Sequence, residues 1–136
     1  MKYESKKISE VVTELNINFF LPHIQRELVW TDKQIYRLFD SLLRGYPIGT
    51  FLFWKIQDKK DEIAKLEFIK DYKKKESKNF INTESDKPYY WLVLDGQQRL
   101  QSFYIALRGS YDNRELYLDV LSDNSSKKTM KKGETE

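Results

Sequence analysis

Residues 95–99 read Asp-Gly-Gln-Gln-Arg, a carboxylate, a glycine, two amides and a guanidinium in five consecutive positions. The apolar run Trp91 to Leu94 precedes them, and Leu100, Phe103, Tyr104 and Leu107 follow at i, i+3, i+4 and i+7. This spacing predicts a strand that stops at Asp95-Gly96 and a helix that starts at once. A helix N-terminus offers free backbone N–H groups and a partial positive charge. Gly96 lets a ligand approach the backbone closely, and Arg99 has the fork to grip a phosphate through two parallel hydrogen bonds. This is the chemistry of an anion site, and a nucleotide phosphate is the anion that suits it best. Asp95 would hold a divalent metal, cap the following helix, or do both. The competing reading is an ordinary Asp-Gly turn whose arginine pairs with a nearby acid. The chain contains no G-x-x-x-x-G-K-[ST] and no G-x-G-x-x-G, so it is not a Walker loop.

A second polar pair, Gln25-Arg26, falls in a loop just before Leu28-Val29-Trp30. Arg26 and Arg99 both sit at element boundaries and could converge on one polyphosphate. The alternative for Arg26 is an ion pair with Asp40 or another acid that fixes a loop. Asp32 reads as a partner for the helix dipole, and Asp40 beside Phe39 as an inward-pairing acid. Trp30 and Trp54 read as core, and His23 beside Pro22 as a surface loop residue. The lysines of Lys70 to Lys78 and of Lys127 to Lys132 could touch a nucleic-acid backbone. Asp61, Glu62, Glu67, Asp71 and Glu76 dilute the first group, which therefore reads as a solvated face.

These residues need a scaffold, and 136 residues suit one domain. Nine Tyr, eight Phe and three Trp supply a core despite a charged content of 33%, and a net charge of +3 is too balanced to signal nucleic acid by itself. With no cysteine, disulfides, thiol catalysis and cysteine metal sites are excluded, and one histidine argues against a His-rich metal site or a Ser-His relay. The absence of an 18-residue apolar run and of a signal peptide leads to the expectation of a soluble cytoplasmic protein. A short helix is expected over 5–15, and an extended stretch over 16–21. Thr31 with Gln34 forms a capping box for a helix that buries Ile35, Leu38, Phe39 and Leu42 and ends at Gly45. A strand follows over Thr50 to Ile56, then a solvated helix over about 60–75 and a loop over 76–88. The strand at 89–94 and the helix at 97–108 carry the motif, Gly109 ends that helix, and Leu116 to Val120 alternate as a strand. The chain from Ser122 onward has little to bury and is expected to be disordered. The pattern lacks the regular units of a doubly wound sheet and predicts a compact α+β domain over 1–121 with a polar tail over 122–136.

Three segments together resemble a known prokaryotic pattern. Leu21-Pro22-His23-Ile24-Gln25-Arg26-Glu27-Leu28-Val29-Trp30 resembles "IPxFQRxYVW", Asp40 to Gly49 resembles "DSLLxGYPIG", and Leu94 to Leu100 matches "LDGQQRL". They are similar to the N-terminal domain of GmrSD-type modification-dependent restriction enzymes and related phage-defence proteins, which is similar in fold to the ParB and sulfiredoxin superfamily. The resemblance implies a ParB/sulfiredoxin-like domain with a small mixed sheet packed against helices, and a nucleotide-binding or NTP-hydrolysing role coupled to DNA restriction. It implies that Asp95, Gly96, Gln97, Gln98 and Arg99 form the phosphate and metal end of a site for an NTP and Mg²⁺, with Gln25 and Arg26 opposite. Asp95 and Arg99 would carry any hydrolysis, with Asp95 on the metal. The implied partners are a nucleotide, modified or foreign DNA reached through the full-length protein, and an HNH nuclease domain or subunit that this chain lacks. A different class remains open: a DNA-binding or protein-docking module of ParB-like fold with no turnover. His23-Ile24, Glu27-Leu28 and Gln101 depart from the family pattern, Gln101 by removing a hydroxyl beside the motif. Sulfiredoxin chemistry is excluded, because it needs a cysteine.

Overall fold

The computed structural model describes residues 2–23, 30–57, 64–75, 82–83, 87–118 and 130–134. In chain order the elements are α1 (Ile8–Glu14), β1 (Phe19–Pro22), α2 (Asp32–Leu43), β2 (Leu52–Ile56), β3 (Lys65–Leu66), β4 (Asp71–Tyr72), β5 (Asn82–Thr83), β6 (Tyr90–Asp95), α3 (Gln97–Arg108), β7 (Ser110–Tyr111), β8 (Arg114–Leu118) and β9 (Met130–Glu134). The architecture is α+β, as the pattern of elements predicts. It has two small mixed sheets where one was expected. The first has the order β2-β6-β1-β3-β5, and the second β4-β7-β8-β9. Strands β1 and β6 run parallel, as do β4 and β7; the other pairs are antiparallel.

Local chemistry sets the helices. Thr31 Oγ1 accepts from the Gln34 N–H, and the Thr31 N–H donates to Gln34 Oε1 at 2.9 Å, so the capping box opens α2 as expected. Helix α3 covers residues 97–108, also as expected. The three helices and one face of the first sheet share a core: Val11 and Val12 from α1, Ile35 and Phe39 from α2, Leu100 and Phe103 from α3, and Phe19, Leu21 and Val93 from the strands. Phe39 and Phe103 meet edge to face at 5.3 Å and 78°, a geometry that adds to their burial. On the sheet's other face Phe20, Ile56, Tyr90 and Leu92 form a second cluster. Lys65 joins it at 2% exposure, with Nζ 4.2 Å from the Tyr90 ring centroid, and pairs with no carboxylate among the described residues.

Several expectations are corrected. Residues 64–75 hold two short strands and no helix. Their backbone is held from afar by two side-chain amides. Asn16 Nδ2 donates to the Phe68 carbonyl at 3.0 Å and its Oδ1 accepts from the Phe68 N–H. Gln101 Oε1 accepts from the Ile69 N–H at 2.9 Å while its Nε2 donates to the Ile69 carbonyl. Each amide acts like one rung of a strand ladder and satisfies a backbone stretch that needs partners. Helix α3 is wrapped on more than one side, so Gln101 and Ser102 are buried while Leu107 stays 49% exposed, against the expected stripe. Trp54, expected in the core, is also exposed, because β2 is an edge strand; Trp30 packs against the core. Residues 130–134 pair with β8 as a strand, so the expected structureless tail does not hold there. The 60–75 expectation over 60–63, and the tail over 122–129 and 135–136, fall outside the described residues.

Candidate functional site

The motif sits where β6 hands over to α3. Asp95 closes the strand opposite Leu52 of β2, beside a register shift between Leu52 and Phe53. Such an irregularity bends a strand and re-aims its neighbours. Gly96 then takes φ 85° as the N-cap of α3, a left-handed conformation that suits glycine. It provides no capping side chain, and the Asp95 carboxylate is exposed and makes no hydrogen bond or ion pair with any described residue. Asp95 therefore does not cap the helix. The first turn of α3 keeps its N–H groups directed away from the helix body.

Arg99 has a role that neither sequence reading anticipates. Its Nη1 donates to the Ile48 carbonyl at 2.6 Å and its Nη2 to the Thr50 carbonyl at 2.7 Å. Its guanidinium carbon lies 4.5 Å from the Phe51 ring centroid. The partner of Arg99 is thus the backbone of the loop between α2 and β2, and no acid pairs with it among the described residues. Two glycines make the contact possible. A Cβ on Gly49 would come within 2.6 Å of Arg99 Nη1, and a Cβ on Gly96 would strike the Phe51 ring. The stretch Tyr46-Pro47-Ile48-Gly49, the end of the second family-like segment, and the Asp-Gly-Gln-Gln-Arg stretch are therefore two halves of one structure. Two donors of Arg99 hold the loop, and a guanidinium carries five.

The remaining motif residues support this junction. Gln97 Nε2 donates to the Val93 carbonyl at 2.8 Å, which ties the helix start to the strand end. Gln98 is half-buried, and its carbonyl accepts from Ser102 Oγ at 2.7 Å. Gln25 and Arg26 lie outside the described residues, and so does the convergence of Arg26 with Arg99. Asp40 pairs with Arg44 along α2 at 3.0 Å, rather than pairing inward. Asp32 sits in the first turn of α2 and reaches Arg114 at 3.6 Å. His23 is exposed. The cleft lined by Asp32, Ile35, Tyr36, Ile105, Tyr111 and Arg114 includes no motif residue, and the Asp32–Arg114 pair already occupies its charged side, so it is a packing seam. Among the described residues no three acids or histidines gather to hold a metal. A divalent cation at Asp95 would take one protein carboxylate and complete its shell from phosphate oxygens and water, the usual arrangement for Mg²⁺.

Residues that the sequence reading passed over are Gly49, Phe51 and the carbonyls of Ile48 and Thr50. The signal available was a second glycine at the end of a Pro-containing turn. No helix among the described residues is long and apolar enough to cross a membrane. An uncharacterized protein of Methanocaldococcus jannaschii is 38% identical over 87 residues, which is 64% of this chain and 14% of that protein. The chain thus spans a small part of that relative's length. The profile described as "GmrSD restriction endonuclease, N-terminal domain" matches residues 8–136, and it covers all three helices, both sheets and the β6–α3 junction. The chain belongs to this family of restriction-endonuclease N-terminal domains.

Proposed function

We propose that this domain binds a nucleoside triphosphate, with Mg²⁺, at the β6–Gly96–α3 junction, as the nucleotide-responsive part of a longer prokaryotic DNA-restriction or phage-defence protein. One observation carries the reading: a helix N-terminus with no side-chain cap lies beside an exposed carboxylate that has no partner among the described residues. The helix end favours the phosphate charge through its N–H groups and dipole. Arg99 stands one turn in, held rigid by Ile48 and Thr50, with donors to spare. A fixed guanidinium is pre-organised for a phosphate and loses little freedom on binding it. Asp95 supplies the negative charge that a phosphate-bound cation needs. Gln97 and Gln98 flank the site, and by family resemblance Gln25 and Arg26 close it from the other side.

Phosphoryl transfer depends mainly on positioning and on electrostatic stabilisation. Arg99 would neutralise charge on the phosphate oxygens, and Asp95 would fix the cation's position. DNA cleavage would belong to the HNH part of the full-length protein or to a partner subunit, with modified or foreign DNA as its target. Calorimetric titration of the folded chain with each of the four ribonucleoside triphosphates, with and without Mg²⁺, tests the reading. Binding that requires Mg²⁺ is the expected result. Absence of binding by all four overturns it.

A further inference from the structure

The other end of β6 carries a separate cluster. Trp91 pairs across the sheet with Lys55 of β2, and its indole stacks on Phe19 at 6.2 Å and 17°. Lys55 Nζ lies 4.4 Å from the Tyr89 ring centroid and 5.6 Å from that of Trp91. Lys6, just ahead of α1, brings its Nζ to 5.9 Å from the same indole and 5.5 Å from Phe19. Two cations thus converge on one aromatic ring. Neither pairs with a carboxylate among the described residues. Tyr89 remains 46% exposed beside them. The chain has 21 acids to 24 basic residues, yet no acid among the described residues balances these two lysines.

Cation–π contact alone stabilises such lysines only modestly at an exposed site. A nucleic-acid phosphate supplies the counter-charge that neither ammonium finds among the described residues. An exposed tyrosine alongside adds a flat surface of the kind on which unpaired bases stack. We infer that Lys6, Lys55, Tyr89 and Trp91 form a contact surface for single-stranded nucleic acid, with the two lysines on backbone phosphates and Tyr89 under a base. Along the strand Trp91 lies about 13 Å and Tyr89 about 20 Å from Asp95, and the surface is independent of the nucleotide reading.

Fluorescence anisotropy on the full chain tests this, with a labelled single strand of about 20 nucleotides and the matching duplex at roughly 50 and 200 mM salt. No nucleotide is added. The Lys6→Gln, Lys55→Gln double variant keeps side chains over the rings and removes both charges. It should weaken single-strand binding about tenfold and lower the salt slope by about 1.4, the value for two phosphates on a single strand. Lys6→Arg with Lys55→Arg should keep both affinity and slope. Tyr89→Leu should cost the single strand roughly fivefold or more and leave the duplex nearly unaffected. The inference is overturned if the wild type does not bind the single strand at low salt, if the glutamine variant keeps its affinity and slope, or if Tyr89→Leu weakens both probes equally. Mg²⁺-nucleotide titration of the same variants should match the wild type, which separates failure here from failure at Asp95.

Discussion

Replacing Arg99 by alanine tests whether the two motif stretches are joined as the geometry indicates. The substitution removes the 2.6 Å bond to Ile48 and the 2.7 Å bond to Thr50. It also removes the contact with the Phe51 ring at 4.5 Å. A hydrogen bond from a charged donor contributes about 1.5–3 kcal/mol, and the Thr50 bond, open to water, belongs below that range. The ring contact adds about 0.5–1 kcal/mol at a partly exposed position. The expected loss is about 3 kcal/mol, or roughly 10 °C in melting temperature for a domain of this size. Arg99→Lys should recover less than half, because an ammonium lacks the planar fork that reaches both carbonyls. Thermal melts followed by far-UV circular dichroism, with urea unfolding of the same proteins, measure both. If Arg99→Ala melts with the wild type, the bracket holding the 48–51 loop is not formed in solution and the shared site loses its basis. A stability loss by itself does not argue against nucleotide binding here, because the structural partner of Arg99 is the loop that completes the site.

Gln101→Leu should destabilise by about 2–3 kcal/mol in urea unfolding, since it leaves the part-buried Ile69 N–H and carbonyl without their side-chain partner. Lys65→Met should be close to neutral, because it keeps the buried stem and removes a desolvated charge, whereas Lys65→Glu should prevent folding by burying a carboxylate against the ring faces of Tyr90 and Phe20. Tyr111 is pushed up to about 12, chiefly by burial and then by Tyr72, Asp112 and Asp32, with Arg114 opposing. Its folded value stands above the ordinary 10, so its contribution to stability is intact below pH 10 and declines as pH rises toward 12. Tyr36 and Tyr117 also titrate above their ordinary value, so ultraviolet titration should show a late tyrosine step that shrinks by one group in Tyr111→Phe, and the variant should lose less stability over that interval.

Local chemistry is what the sequence makes legible. Thr31 and Gln34 fix the start of α2 within four residues, and the step from Leu94 through Asp95-Gly96 to Leu100 places the β6–α3 junction and the bounds of α3. Long-range partners are what it hides. Ile63, Leu66, Ile69 and Tyr72 follow a helical spacing, yet the backbone there is satisfied by amides 52 and 32 residues distant. Nothing in the local pattern distinguishes Asn16 or Gln101 from an ordinary polar residue. Arg99 is legible as a residue with chemistry, but its acceptors are main-chain carbonyls 51 and 49 residues away, which no side-chain pattern announces. Leu107 and Trp54 carry apolar side chains at positions whose exposure depends on how α3 is surrounded and on which strand forms the sheet edge.

Asp95 gives the most direct test of nucleotide binding at the β6–α3 junction, because its carboxylate has no structural partner among the described residues. Asp95→Asn preserves shape and should leave unfolding within about 0.5 kcal/mol of the wild type, as for a surface substitution away from any stabilising contact. Calorimetric titration with a Mg²⁺-nucleoside triphosphate should then show at least a tenfold loss of affinity, about 1.4 kcal/mol or more, together with loss of the Mg²⁺ requirement. Unchanged affinity in a variant that melts with the wild type would contradict the assignment of Asp95 to a nucleotide–metal site.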